Sequence, residues 1–146
     1  MKYPLGIQTF ENIRTEGYLY MDKTALVYDI VKSGKYYFLS RPRRFGKSLL
    51  ISTLEAYFQG KRELFGGLAI ERLEKDWTAY PVLHLDLNAA KYTSLEALTS
   101  LLTTQLCYWE DIYGSSPAEQ TLSERFKGII RRASESAKEN REGITP

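Results

Sequence analysis

The sequence predicts an α/β fold in which parallel strands are buried between helices. Two short runs rich in aromatic and aliphatic residues, 35–40 and 82–87, are bounded by Gly or Pro and indicate buried strands. Helical patterns, with apolar residues three and four positions apart, precede, separate and follow these runs. Because a doubly wound sheet has about five or six strands, the two strands predict an incomplete parallel sheet flanked by helices.

The composition is typical of a globular cytoplasmic domain. The chain has 146 residues, which predicts one domain or part of a larger one, and a single cysteine, Cys107, which excludes an intrachain disulfide framework. Twenty basic residues against 18 acidic ones give a net charge of +2, too small to indicate nucleic-acid binding by itself. The sequence has neither an apolar run long enough for a membrane span nor a secretory signal. We therefore expect a cytoplasmic protein without a membrane partner.

The elements of the first half are predicted from local signals. Residues 1–21 are expected to form an extended lead-in punctuated by Pro and Gly. A helix is expected after Asp22, which we interpret as its N-cap, and it should end before Gly34. After the first strand and a turn, an amphipathic helix is expected from Lys47 to about Phe58, with Leu50, Ile51, Leu54 and Phe58 facing inward.

The second half is predicted to contain the second strand and two longer helices. A short helix is expected between Ile70 and Trp77, ahead of the strand. A capping box formed by Thr93 and Glu96 predicts the start of a long helix that continues towards Tyr113. The segment 114–117, Gly-Ser-Ser-Pro, should end it. The apolar face of a last helix is carried by Leu122, Phe126, Ile129 and Ile130.

The turn between the first strand and the next helix carries the chemistry. Gly46, Lys47 and Ser48 stand where strand, loop and helix meet, the context in which G-x-x-x-x-G-K-[ST] binds phosphate. Backbone N–H groups at a helix N-terminus hold anionic oxygens, and a glycine there lets the backbone approach them closely. Lys47 would reach the β- and γ-phosphates, and the Ser48 hydroxyl would hold Mg²⁺.

The loop departs from that motif at its first position. Arg41 stands where the motif has its first glycine, and Pro42 makes the entry to the loop stiffer. Arg43 and Arg44 add charge, so the segment 41–47 has four basic residues and no acidic one. Such an excess suits a polyanion. The alternative interpretation is an ordinary basic turn.

The run from 36 to 49, Y-Y-F-L-S-R-P-R-R-F-G-K-S-L, resembles the signature of the AAA-ATPase-like family of bacterial P-loop proteins, in which the loop is typically R-P-R-R-F-G-K-S. The segments 6–10 and 20–24 resemble the opening segment of that family, and 81–87 also fits it. The resemblance implies nucleotide binding by the loop residues Arg41, Pro42, Arg43, Arg44, Phe45, Gly46, Lys47, Ser48 and Leu49, with Ser48 as the metal ligand.

The resemblance also implies a wider domain organisation. Residues 1–146 are expected to be the N-terminal part of a P-loop NTPase domain of the additional-strand type, with ATP and Mg²⁺ as cofactors. The family's acidic strand, an apolar run that ends in Asp-Glu, does not occur here, so hydrolysis is expected only in a longer parent protein. A nuclease-like domain of the PD-(D/E)XK type usually follows in the family, and nucleic acid would be its partner. That domain is not within these residues.

Other residues have both a functional and a structural interpretation. Asp86 ends an apolar run and could be a Walker B aspartate, although a polar residue at a strand end is the simpler explanation. The segment 22–24, Asp-Lys-Thr, could contact a base or ribose, whereas a helix N-cap explains Asp22 equally well. His84, the single histidine, is expected in the core, and Cys107 is expected to serve packing.

Two alternatives to nucleotide binding remain open. The same arginines could hold nucleic acid, with Tyr36, Tyr37 and Phe45 as stacking surfaces, although these aromatics could also be core residues of the strand. The second alternative is an inactive fragment whose open sheet edge causes self-association.

Overall fold

The computed structural model describes residues 2–42, 44–87 and 94–142. The chain forms two compact units, Met1–Val82 and Leu83–Pro146. A short 3-10 helix, Arg62–Phe65, lies between α3 and α4. The α-helices are α1 Phe10–Thr15, α2 Thr24–Ser33, α3 Lys47–Phe58, α4 Ala69–Leu73, α5 Leu95–Tyr113 and α6 Leu122–Glu142.

The predicted α/β fold is wrong for the described residues, which contain no β-strand and no sheet. Their one isolated bridge joins Lys2 to Tyr18. The segments 35–40 and 82–87 have the composition of strands, but a strand forms only when a neighbouring strand satisfies its backbone groups. Neither segment has such a partner in the part of the chain that is described. Because the described residues contain no sheet, they offer no open sheet edge for the predicted self-association.

The first unit is built around an aromatic core. Phe65 lies at its centre, with ring centroids 4.9 Å from Phe10 and 5.0 Å from Trp77. Phe10 belongs to α1, which occupies part of the lead-in that was predicted to be extended. Phe10 and Ile13 are three positions apart, so they lie on the same face of α1, and both are buried. This short helix is therefore stabilised by its packing. The buried residues of the cluster are Phe10, Val27, Ala56, Tyr57, Leu64, Phe65, Leu68 and Ile70.

Helix α3 has the predicted bounds, Lys47 to Phe58. Of its residues expected inward, Leu50, Leu54 and Phe58 are half-buried and pack against the aromatic core. Thr53, Ala56 and Tyr57 are buried, whereas Ile51, which was expected to point inward, is 44% exposed. The aromatic core packs against the Tyr57 side of the helix. This packing leaves Ile51 exposed, although the apolar pattern of the helix includes it.

Helices α5 and α6 form an antiparallel hairpin in the second unit. Its core is Leu106, Trp109 and Ile129, each 5% exposed or less. Helix α5 has its predicted extent, and the Ser94 hydroxyl accepts a hydrogen bond from the backbone of Ala97 at 3.2 Å. The N-cap is Ser94, so the predicted capping box, with Thr93 as the N-cap, is wrong by one residue. Thr93 itself lies outside the described residues.

Two ion pairs join the elements of this hairpin. Arg125 binds both carboxylate oxygens of Glu110 at 2.7 Å, and Arg132 binds Glu119 in the same bidentate way at 2.7 and 3.1 Å. A Cβ at Gly128 would lie too close to the Glu119 carboxylate, so a larger residue there would force this carboxylate to shift beside Arg132. Within residues 2–42, 44–87 and 94–142, none of the helices combines the length and apolar character that a membrane span needs.

Candidate functional site

The N-terminus of α3 is preceded by two residues in the left-handed conformation. Gly46, the N-cap, has φ 74° and ψ 18°, and Arg44 has φ 66°. The first intrahelical bond runs from the backbone N–H of Leu50 to the carbonyl of Gly46 at 2.9 Å. The N–H groups of the first turn ahead of Leu50 have no acceptor within the helix, and glycine has no side chain to cap them. The turn therefore presents backbone donors at the positive end of the helix dipole.

Lys47 folds back across the turn. Its Nζ donates hydrogen bonds to the carbonyl oxygens of Arg41, at 2.6 Å, and Pro42, at 2.9 Å. These bonds connect the start of the loop to the first residue of α3. An ammonium group has three N–H donors, of which these two bonds use two. The Lys47 ammonium therefore adds a full positive charge at the N-terminus of α3, where the helix dipole is also positive.

The other loop residues predicted from sequence are largely solvent-exposed. Arg41, Pro42, Arg44 and Ser48 are exposed, and Phe45 is 62% exposed. Leu49 is half-buried and packs against the aromatic core. Arg43 lies outside the described residues.

An apolar groove adjoins the loop. It has a volume of about 630 Å³ and reaches Arg41 and Gly46 at the loop. Helix α2 contributes Leu26 to its wall, and helix α3 contributes Leu49. Volumes of about 300–1,000 Å³ are typical of sites for small organic ligands. The groove and the loop together can receive a ligand with an apolar or flat body and an anionic end.

The segment 22–24 has a structural role. The carboxylate of Asp22 accepts hydrogen bonds from the N–H and hydroxyl of Thr24, at 2.9 and 2.7 Å, and from the N–H of Ala69 at 2.7 Å. The Thr24 hydroxyl in turn accepts from the N–H of Ile70 at 3.1 Å. Burial raises the pKa of Asp22, but these hydrogen bonds outweigh it and the pKa is lowered. Asp22 precedes the N-cap, Lys23, by one residue, and it joins α2 to α4.

The remaining candidates differ from their predicted environments. His84 is exposed, so its predicted place in the core is wrong, since the segment 82–87 is not a buried strand. Cys107 is also exposed, and its Sγ accepts a hydrogen bond from Arg125 at 3.2 Å, so the predicted packing role is wrong. Asp86 is exposed as well. Across the described parts of the chain, no group of three or more His, Cys, Asp and Glu residues could hold a metal ion.

The local sequence pattern does not predict one buried carboxylate, that of Glu74. Glu74 is 4% exposed and accepts hydrogen bonds from the Tyr57 hydroxyl, from Lys32 at 3.0 Å and from the backbone N–H groups of Lys75 and Asp76. Burial raises the pKa of Glu74, but these donors outweigh it and lower the pKa to about 2. Its side-chain partners are 17 and 42 positions away in sequence, and no local pattern marks them.

Comparisons with known proteins identify relatives of this chain. A family model described as "Predicted AAA-ATPase" matches residues 4–141. A protein of Azotobacter chroococcum mcd 1, described as "Uncharacterized protein in vnfD 5'region", is 37% identical over 134 residues. The match covers 90% of this chain and 26% of that protein, so the chain spans about a quarter of the relative's length. No solved structure matches significantly. The extent of the family match shows that the chain belongs to the Predicted AAA-ATPase family.

Proposed function

We propose that this chain binds a nucleotide, ATP, by its phosphates at the N-terminus of α3. The observation that carries the proposal is the position of Lys47, whose ammonium closes the loop through Arg41 and Pro42 at the same helix end as the free N–H groups. A phosphate oxygen is a stronger acceptor for these donors than a backbone carbonyl, because it has a negative charge that attracts both the ammonium and the positive end of the helix dipole. Membership of the Predicted AAA-ATPase family supports the same ligand class.

The residues present fit the phosphate groups of ATP. Two left-handed residues, Arg44 and Gly46, allow successive N–H groups to converge on an anion, as in other backbone anion sites. The apolar groove next to the loop has room for the base and ribose. In this proposal the nucleotide lies along the groove, with its phosphates at Gly46 and Lys47.

Mg²⁺ would accompany the nucleotide. Ser48 is exposed in the first turn of α3, and its hydroxyl can serve as one metal ligand. Mg²⁺ commonly takes few protein ligands and completes its coordination with phosphate oxygens and water. The sequence supplies no acidic residue from 30 to 54, so a catalytic carboxylate would have to come from elsewhere. We therefore propose binding of the nucleotide and Mg²⁺ by this loop and assign no step of hydrolysis to it.

Calorimetric titration with Mg-ATP tests the proposal. We expect micromolar binding by the wild-type chain and at least about 10-fold weaker binding by Lys47→Ala, because hydrogen bonds to charged groups contribute about 1.5–3 kcal/mol. Lys75→Ala, at an exposed lysine of the same unit, is the matched control and should bind like the wild type. Equal affinities of Lys47→Ala and wild type, or no binding by the wild type, would overturn the proposal.

A further inference from the structure

The segment 35–40 presents two aromatic rings, those of Tyr36 and Phe38, to solvent. Tyr37 and Leu39 are turned towards the first unit: the Tyr37 hydroxyl donates a hydrogen bond to the carbonyl of Ile30 at 2.5 Å, and Leu39 lines the apolar groove. Tyr36 and Phe38 are 94% and 93% exposed. Tyr37 and Leu39 are less exposed, at 56% and 43%. This order matches an extended chain, in which successive side chains point to opposite sides.

The spacing of the exposed rings suits two flat ligands in a row. Side chains two residues apart in an extended chain are separated by about 7 Å and lie on the same side. Each ring can therefore stack a different group. Bases of single-stranded nucleic acid stack on such rings without regard to sequence, because every base has a flat π-face.

The charge around the rings selects the class of partner. Residues 30–54 contain six basic residues and no acidic one. Three of these, Lys35, Arg41 and Arg44, are exposed at the ends of the segment or just beyond it. A second copy of the chain paired along this segment would bring these like charges together, whereas a polyanion would neutralise them.

We propose that Tyr36 and Phe38, with the flanking basic side chains, bind single-stranded nucleic acid. The rings stack successive bases, and Lys35, Arg41 and Arg44 contact phosphates. The surface shares Arg41 and Arg44 with the nucleotide loop, but neither ring is part of the turn at the start of α3.

Fluorescence anisotropy of the full chain with a labelled oligothymidylate tests this inference. Tyr36→Leu/Phe38→Leu keeps apolar bulk but removes both π-faces, and we expect affinity to fall at least about 30-fold. The ring-conserving exchange Tyr36→Phe/Phe38→Tyr is the matched control and should retain affinity within about 3-fold, because stacking depends on the ring. With three phosphate contacts, log affinity should fall with log salt concentration with a slope of about −2.

Separate variants distinguish this surface from the nucleotide site. Lys47→Ala should no longer bind Mg-ATP but should still bind the oligonucleotide. The double leucine variant should bind Mg-ATP but bind the oligonucleotide only weakly. Equal oligonucleotide affinity of the leucine variant and wild type would overturn the inference. So would a wild-type dimer in light scattering that Tyr36→Lys/Phe38→Lys converts into a monomer, since the rings would then be an interface between copies.

Discussion

At the scale of single residues, Glu74 makes the stability of the first unit depend on acidity. Its pKa in the folded chain is about 2, below the ordinary value of 4.5, so the folded state holds its proton less tightly than the unfolded state. Its contribution to stability is complete above pH 4.5 and is lost as the pH falls towards 2. A shift of this size corresponds to roughly 3 kcal/mol at neutral pH. Glu74→Gln should lower the free energy of unfolding at pH 7 and flatten its fall on acidification.

Urea unfolding between pH 2 and 7 measures this effect. The chain has two tryptophans, and in a Trp109→Phe background Trp77 reports on the first unit alone. Glu63→Gln makes the same chemical change at an exposed position and should leave the pH dependence as in wild type. If the free energy of unfolding of Glu74→Gln falls on acidification as steeply as that of wild type, Glu74 is not the group that causes the fall.

The same residue shows what sequence can and cannot reveal at this scale. The Gly46-Lys47 turn could be found because its signals are adjacent in the chain and its chemistry is local. Glu74 could not, because a glutamate in a charged run is indistinguishable from a solvated one until Tyr57 and Lys32 fold around it. Asp22 was expected to be the N-cap of α2, but the N-cap is Lys23, and the hydrogen bond from Ala69 to Asp22 joins positions 47 apart.

At the scale of elements, the longer helices were predictable, whereas the short helix α1 and the absence of strands among the described residues were not. Helices α3 and α5 have their predicted bounds because their starts, ends and apolar repeats are all encoded within a few turns. The segments 35–40 and 82–87 have the composition of strands, but pairing depends on a second segment that local sequence does not identify. In the first segment Tyr36 and Phe38 are almost fully exposed, because no second strand covers them in the described part of the chain.

The start of α3 gives a prediction at this scale. A Cβ on Gly46 would meet no atom within 4 Å, so Gly46→Ala introduces backbone strain at φ 74° without a clash. A left-handed L-residue costs about 1–2 kcal/mol, and we expect the free energy of unfolding to fall by about this amount. Relaxation of the turn should also weaken Mg-ATP binding.

Gly17→Ala separates the loss of stability from the loss of Mg-ATP binding. Gly17 has φ 68° and equally open surroundings, so its substitution should cost similar stability in the same unit while Mg-ATP binding stays as in wild type. Stability is compared by urea unfolding and binding by calorimetry. If both variants bind Mg-ATP like wild type, the conformation of Gly46 does not matter for the ligand.

At the scale of the whole molecule, a net charge of +2 conceals a strong asymmetry along the chain. Residues 30–54 have six basic side chains and no acidic one, which leaves 14 basic against 18 acidic residues elsewhere. The segment thus has a charge of +6 and the remainder −4. Charged surfaces and polyanions respond to a local patch more than to net charge, because salt screens distant charges within about 10 Å at 0.1 M.

Elution from a heparin column therefore depends on where a charge is removed. Arg41→Gln/Arg44→Gln and Arg72→Gln/Arg131→Gln both reduce the net charge from +2 to 0, and all four arginines are exposed. We expect the first pair to lower the salt concentration at elution clearly more than the second, because only the first pair weakens the patch. Equal shifts would mean that net charge alone governs the interaction and that the basic segment does not act as a patch. A larger shift for the first pair would show that one segment attracts polyanions although the chain as a whole is almost neutral.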